Sequence, residues 1–167
     1  KANFAFIAPP IAVALAKHPM VDEYDTSSMK TMLSGAASLK EELALQVEQR
    51  LNLDMVQGYG MTELSPVSHL RVGDGSPLNS IGTAVCNTEF KLVDVDSDDL
   101  AEIPVPESGH SAAGELWVRG PQVMLGYLNN EEATNQTIVD GGWLRTGDIA
   151  ELDEHGNTYI VDRLKEL

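Results

Sequence analysis

The sequence predicts an α/β segment followed by mostly antiparallel β. Three observations carry that reading. Over roughly the first 60 residues, apolar runs and helical stripes alternate as strand–helix–strand–helix–strand, the order that builds a parallel sheet. The alternation stops near residue 70, where Gly73, Gly75, Pro77 and Gly82 punctuate a loop. Beyond it come short apolar runs separated by turn compositions, with one short helix signal among them.

Residues 3–8 form a short apolar run ended by Pro9 and Pro10, which fits a buried strand. Residues 11–17 follow as a short helix closed by Pro19. Residues 29–33 read as a second strand leading into Ser34-Gly35-Ala36-Ala37. Ser38 and Glu41 have the spacing of a capping box, and Leu39, Leu43, Val47 and Leu51 then line one stripe of a helix. Residues 54–56 start a third strand, which runs into Gln57-Gly58-Tyr59-Gly60-Met61-Thr62-Glu63. In the second part, Phe90, Leu92, Val93 and Val95 suggest a strand covered on both faces, and residues 115–119 another before Gly120-Pro121. Asn130 can cap a short helix with Glu131 and Glu132 in its first turn, where acids suit the helix dipole. Residues 143–150 and 158–161 read as two strands joined by the turn Asp153-Glu154-His155-Gly156-Asn157. Internal repeats are absent. Asn135-Gln136-Thr137 fits a glycosylation sequon, a tripeptide common by chance.

Composition narrows the function classes. A chain of 167 residues with 43 % apolar content can bury one ordinary core. The formal charge of -15 argues against a nucleic-acid surface, because phosphate contacts along a polymer need many Lys and Arg. It leaves room for a single nucleotide, which needs only a basic group or two and backbone amides. Asp94, Asp96, Asp98, Asp99 and Glu102 read as a solvated loop. Cys86 is alone, so neither a disulfide framework nor a cysteine metal site is expected. His18, His69, His110 and His155 are scattered without ligand spacing. No apolar run approaches the roughly 20 residues of a membrane-spanning helix, and no signal peptide is visible. The chain starts with Lys and stops at Asp-Arg-Leu-Lys-Glu-Leu directly after a strand-like run, so a fragment is expected.

The familiar phosphate motifs are missing. G-x-x-x-x-G-K-[ST] is absent, G-x-G-x-x-G fails because Glu63 stands where the third glycine belongs, and there is no G-x-S-x-G. Four polar stretches remain where strands should end. Ser34-Gly35-Ala36-Ala37 is either a tight strand-to-helix turn or a place where a flat ligand approaches the backbone. Gly58 to Glu63 is either a polar turn or a site outside a strand's carboxyl end. In the second case Tyr59 could stack on a base, Thr62 donate to a phosphate oxygen and Glu63 hold Mg²⁺ through oxygen. Thr146-Gly147-Asp148 is either a solvated turn or an acceptor for both hydroxyls of a ribose. Asp162-Arg163-Leu164-Lys165 is either a charged strand end or a part of the same site.

Taken together, these stretches resemble the adenylate-forming acyl-CoA synthetases, and within them are most similar to 4-coumarate–CoA ligases and fatty acyl-CoA ligases. The segments SGAASL, QGYGMTELSP, GELWVRGPQVMLGYLN, GWLRTGDIAELDEHG and DRLKEL stand in that family's order and at about its spacing, over essentially the whole chain. The resemblance implies part of a large N-terminal domain, an α/β subdomain plus a small distorted β-barrel. Residues 1–84 would belong to the first, 85–162 to the second, and 163–167 to the start of a hinge. It implies ATP or AMP, Mg²⁺ and CoA as cofactors, and a small carboxylic acid as substrate. Tyr59 would stack on adenine, Thr62 contact the α-phosphate, Glu63 bind Mg²⁺, and Asp148 take the ribose hydroxyls with Arg163 beside them. Ala36, Gln57 and Gly58 would line the acyl or adenylate pocket, Leu70 its acyl end, and Lys165 the hinge. Thr62, Glu63 and Lys165 would form the catalytic group.

The glycine-rich phosphate loop and the lysine-bearing C-terminal domain of such enzymes lie outside these 167 residues, so the segment alone is expected to turn over no substrate, its partners being the remaining parts of the same enzyme. A luciferase-type enzyme, an adenylation domain serving another acceptor, and a non-catalytic nucleotide-binding module are the alternatives. A cytoplasmic location is expected, with a peroxisomal one open.

Overall fold

The computed structural model describes residues 1–35, 37, 39–72 and 75–164. Ala36, Ser38 and Lys165 lie outside the described residues, so the roles expected of them do too. Strands β1 (Phe4–Ile7), β2 (Thr31–Ser34) and β3 (Asp54–Gly60) pair in parallel, with Phe4 opposite Thr31 and Thr31 opposite Asp54. Helices α1 (Pro9–Lys17) and α2 (Glu41–Leu51) connect them. Pro9 and Pro10 open α1 rather than merely ending β1: the first helical positions have no intrahelical acceptor for an N–H, so proline loses nothing there. Helix α2 starts at Glu41 with Lys40 as an extended cap that makes no side-chain cap bond, a later start than the capping-box spacing implies. Ala12, Met32, Leu39, Ala44, Val47, Leu51, Leu53 and Met55 are the buried core between helices and sheet.

The first sheet is mixed, not purely parallel. A 3-10 turn at Thr62–Leu64 reverses the chain, so β4 (Val67–Arg71) returns antiparallel along β3 and β5 (Thr83–Ala84) adds beyond it. The reversal is tight. A Cβ at Gly60 would lie 1.7 Å from the Pro66 carbonyl oxygen, so only glycine permits it. Strand β4 escapes a sequence reading because Val-Ser-His-Leu-Arg buries Ser68, His69 and Arg71, which do not announce a core.

The second sheet is antiparallel, in the order β11-β10-β8-β6-β7 with β9 on β10. Its strands are β6 (Glu89–Val93), β7 (Glu102–Ile103), β8 (Gly114–Arg119), β9 (Ile138–Val139), β10 (Trp143–Leu152) and β11 (Thr158–Arg163). Helix α3 (Glu131–Thr137) sits between β8 and β9, and Asn130 Oδ1 caps it by accepting from Ala133 N at 3.0 Å. At the β10–β11 turn the Asp153 carboxylate collects His155 N, Asn157 N, the Asn157 side chain and the Tyr159 hydroxyl.

Leu64, from the turn after β3, is fully buried in the second sheet's core with Ile81, Leu92, Leu116, Val118, Leu144, Ala150 and Leu152. Ile81 N donates to Thr158 O and Thr158 N to Gly82 O, a second clasp between the sheets. No helix among the described residues is long and apolar enough to cross a membrane.

Candidate functional site

A cavity of about 560 Å³ opens where the two sheets meet, within the size range of small-molecule sites. Gln57, Gly58, Tyr59 and Gly60 of β3 form one wall, and Asp148 with Ile160, Val161, Asp162 and Arg163 the other. Tyr59 and Asp148 are 89 positions apart in sequence, yet the Tyr59 hydroxyl donates to Asp148 Oδ2 at 2.5 Å. Arg163 Nε donates to Asp148 Oδ1 at 2.8 Å. Burial, and then the neighbouring Asp148 carboxylate, push the Tyr59 phenol well above its ordinary 10.0. The phenol therefore keeps its proton and acts as a donor across the physiological range.

The backbone around Asp148 explains its aim. Strands β8 and β10 are in register at Arg145 opposite Trp117 and again at Ile149 opposite Glu115. One residue of β8, Leu116, therefore faces three of β10, a bulge that turns 146–148 out of the ladder. Gly147 sits in it at φ +72°, a conformation that costs any residue with a Cβ. Thr146 Oγ1 fills the gap: it donates to Leu116 O at 2.7 Å and accepts from Asp148 N at 3.1 Å. A second irregularity on the β11 side, beside Ile149, completes the turn of the strand.

The other expected site residues divide. Gln57 lines the cavity, but its amide is engaged on both sides, Oε1 accepting from Leu39 N at 2.8 Å and Nε2 donating to Ser80 O at 2.9 Å. Gly58 lies opposite Leu70 in the β3–β4 ladder, and a Cβ there would meet Leu33 Cδ2 at 3.5 Å and Leu70 Cδ1 at 3.7 Å. Leu70 itself does not line the cavity. Thr62 is exposed in the 3-10 turn, and neither it nor Glu63 lines the cavity. Glu63 is instead tied to the second part of the chain: its Oε1 accepts the Tyr127 hydroxyl at 2.8 Å and its carbonyl accepts Met124 N at 2.8 Å. The hydrogen bond to Glu63 raises the Tyr127 phenol above its ordinary value.

No group of three or more His, Cys, Asp or Glu that could hold a metal occurs among the described residues. A single carboxylate such as Glu63 does not make a protein-only metal site. It does match Mg²⁺, which is commonly held by one or two carboxylates together with substrate phosphates.

Sequence reasoning missed four contributors. Asn79 and Ile81 enter the cavity from the loop before β5, where glycine and proline signals masked everything else. His69 packs edge-on beneath Tyr59, with ring centroids 6.1 Å apart. Glu115 is a buried acid inside the apolar run Gly-Glu-Leu-Trp-Val, and a charge at that place was the signal available.

A family profile described as "AMP-binding enzyme" matches residues 1–128. The chain is 44 % identical to a 4-coumarate–CoA ligase of Nicotiana tabacum, over all of this chain and 31 % of that protein. Among solved structures it is similar to the amide bond synthetase McbA of Marinactinospora thermotolerans, with TM-score 0.85 and 31 % identity over 98 % of this chain and 32 % of the other. It is also similar to the anthranilate CoA ligase AuaEII in complex with anthranoyl-AMP, with TM-score 0.83 and 29 % identity over 98 % and 30 %. The chain thus spans about a third of the length of the proteins it matches.

Proposed function

The chain belongs to the AMP-binding enzyme family, and from that premise we propose that it is a segment of an acid–CoA ligase. Such a ligase joins a carboxylate to the α-phosphate of ATP, releasing pyrophosphate, and the CoA thiol then displaces AMP from the acyl-adenylate. The two steps exchange a poor leaving group, a carboxylate oxygen, for a good one.

The observation that carries the reading is the Tyr59–Asp148–Arg163 junction on the cavity wall. A carboxylate offers about four acceptor positions. Tyr59 and Arg163 take one on each oxygen of Asp148, which leaves acceptors for the two hydroxyls of a ribose. Tyr59 also offers its ring face to adenine, and its bond to Asp148 fixes the distance between base and sugar. Arg163 stands beside the ribose. Gln57 and Gly58 form the wall beyond, where the missing side chain of Gly58 leaves room for adenylate or acid, with Leu70 behind it at the acyl end, and the role proposed for Ala36 in the same pocket rests on the family resemblance alone. Gln57 contributes shape rather than free hydrogen bonds, since its amide is spent on Leu39 and Ser80. The Thr62 hydroxyl contacts the α-phosphate and Glu63 takes the metal. When bound with the nucleotide, Mg²⁺ neutralises phosphate charge. Lys165 is the hinge about which a following domain reorients.

The test is calorimetry of AMP binding to the full-length protein carrying this segment. Asp148→Asn keeps the shape and removes the charge, so affinity should fall by about 1.5–3 kcal/mol, roughly tenfold to a hundredfold. An unchanged dissociation constant removes Asp148 from the site. Supplying CoA or a simple amine to the preformed acyl-adenylate separates a CoA ligase from an amide-forming relative.

A further inference from the structure

We propose that Glu115 is a positioning residue for the nucleotide site: its buried carboxylate holds the 146–148 bulge in the shape that aims Asp148 into the cavity. The inference rests on the reading of Asp148 as the ribose acceptor.

Two residues looped out of a ladder leave backbone amides without a strand partner, and buried amides need one. Thr146 Oγ1 serves Asp148 N from within the bulge. Gly147 N has no such neighbour and donates to Glu115 Oε1 at 3.2 Å. On the other side, Gly147 O accepts Leu164 N at 2.8 Å, so the residue before Asp148 is pinned by β8 on one side and by the residue that follows β11 on the other. Glu115 is the only side chain from outside the bulge that the described hydrogen bonds bring to the Gly147 amide.

Its placement is otherwise hard to explain. The residue is 1 % exposed in a chain of charge -15, at a strand position flanked by buried apolar side chains. Burying a carboxylate forfeits its hydration, a loss that only surrounding donors offset. Here they do. Oε2 accepts Trp117 Nε1 at 2.8 Å and Arg145 Nε at 3.1 Å, and Arg145 reaches the same oxygen with a second nitrogen at 3.0 Å. Trp117 and Arg145 face each other across the ladder one step before the bulge. Glu115 faces Ile149 one step after it. The carboxylate therefore brackets the bulge from both sides, and it does not line the cavity, so whatever it does there it does through 146–148.

The geometry also makes one substitution selective. Glutamine keeps the shape of Glu115 but has one acceptor oxygen and an NH₂ group. Turned to satisfy Trp117 and Arg145, it presents its NH₂ to the Gly147 N–H, two donors face to face. The bond to the bulge is the one lost, while Arg145, half-exposed, keeps water as a partner.

The experiment measures AMP binding to the full-length protein as wild type, Glu115→Gln, Asp148→Asn and the double variant, with the KM of the acid determined at saturating ATP. Glu115→Gln should weaken AMP about tenfold, the usual scale for losing an outer hydrogen-bonding partner of a ligand-binding group. The KM of the acid should move less than about twofold, and in the Asp148→Asn background Glu115→Gln should change AMP affinity by less than about twofold. An equal loss in both backgrounds would mean that Glu115 only supports the sheet and would overturn the proposal. So would an unchanged AMP affinity in Glu115→Gln while Asp148→Asn weakens it, a result that leaves the nucleotide reading standing. If Asp148→Asn itself leaves AMP binding intact, the nucleotide reading fails and the role of Glu115 with it. Should Glu115→Gln not fold, Trp117→Phe deletes a single donor to the same carboxylate and should weaken AMP about threefold through the same coupling to Asp148; no change there overturns the proposal equally.

Discussion

Acidification should destabilise this fold well above the range where carboxylates titrate, and His69 is the reason. The ring is fully buried, with Ser68 Oγ 3.0 Å from Nδ1 and no hydrogen-bond partner for Nε2 among the described residues. Phe90 lies edge-on at 4.8 Å and Tyr59 at 6.1 Å, and burial is the one cause that acts on the ring among the described residues. Burial lowers the imidazole from 6.5 to about 3. A folded value below the unfolded one means that the unfolded chain binds the proton first. Stability is then intact above pH 6.5, declines as pH falls below it, and levels off near the folded value of about 3. Each unit is worth about 1.4 kcal/mol, so moving from pH 7 to pH 5 should cost about 2 kcal/mol from this residue alone. His69→Phe keeps an aromatic ring in the same slot and removes the titration. Urea unfolding of both proteins at pH 7 and pH 5 isolates the effect as a difference of differences, in which every other titrating group cancels. Parallel losses, within about 0.5 kcal/mol, would show that His69 does not couple the fold to protons and would refute the reasoning.

Two glycines separate packing from backbone strain. Gly60→Ala places a Cβ 1.7 Å from the Pro66 carbonyl oxygen and should cost more than about 3 kcal/mol or abolish folding, whereas Gly147→Ala meets no atom within 4 Å and should cost only the left-handed penalty of about 1–2 kcal/mol. Equal urea midpoints for the two variants would contradict this. At the β10–β11 turn, burial alone would raise Asp153, but bonds from Asn157, Tyr159 and His155 outweigh it and hold the carboxyl below its ordinary 3.8. A depressed folded value gives stability that is present above 3.8 and lost as pH falls through the folded value. Asp153→Asn should therefore be destabilised at neutral pH, with its gap to wild type closing only in strong acid; a gap that stays constant to the acid limit argues against it.

The legible parts of this chain were those whose cause is local. Parallel β1–β3 followed from apolar runs broken by helical stripes, and β10 and β11 from a turn composition at residues 153–157. Tyr59, Asp148 and Arg163 could be singled out because each sits in a short polar stretch, expected at a strand end though that of Asp148 proves to be a bulge inside β10, and the cavity does bring those three together. What stayed hidden depends on a partner far along the chain. Strand β4 looks polar because the burial of His69 and Arg71 is set from outside the strand: Arg71 donates to the Ser76 and Met55 carbonyls, and the His69 ring packs edge-on against Tyr59 and Phe90. The Tyr127 bond to Glu63 spans 64 positions, and no local pattern encodes it. Glu115 left one trace, a charge in an apolar strand, whose meaning depends on Arg145, Trp117 and Gly147 arriving from the sheet.

These distant partners share a direction. Tyr59 to Asp148 joins β3 to β10, Glu63 to Tyr127 and Met124 joins the turn after β3 to the segment after β8, and Ile81 and Gly82 to Thr158 join the loop before β5 to β11. Leu64 anchors the same turn in the second core. The candidate site is therefore built from the bonds that hold one sheet against the other, and neither sheet contains it alone. A ligand that engages both Tyr59 and Asp148 adds to that clasp, so its binding free energy contributes to holding the sheets together as well as to occupancy. Substitutions that loosen the clasp without touching the cavity, Tyr127→Phe among them, act on the same equilibrium from the other side.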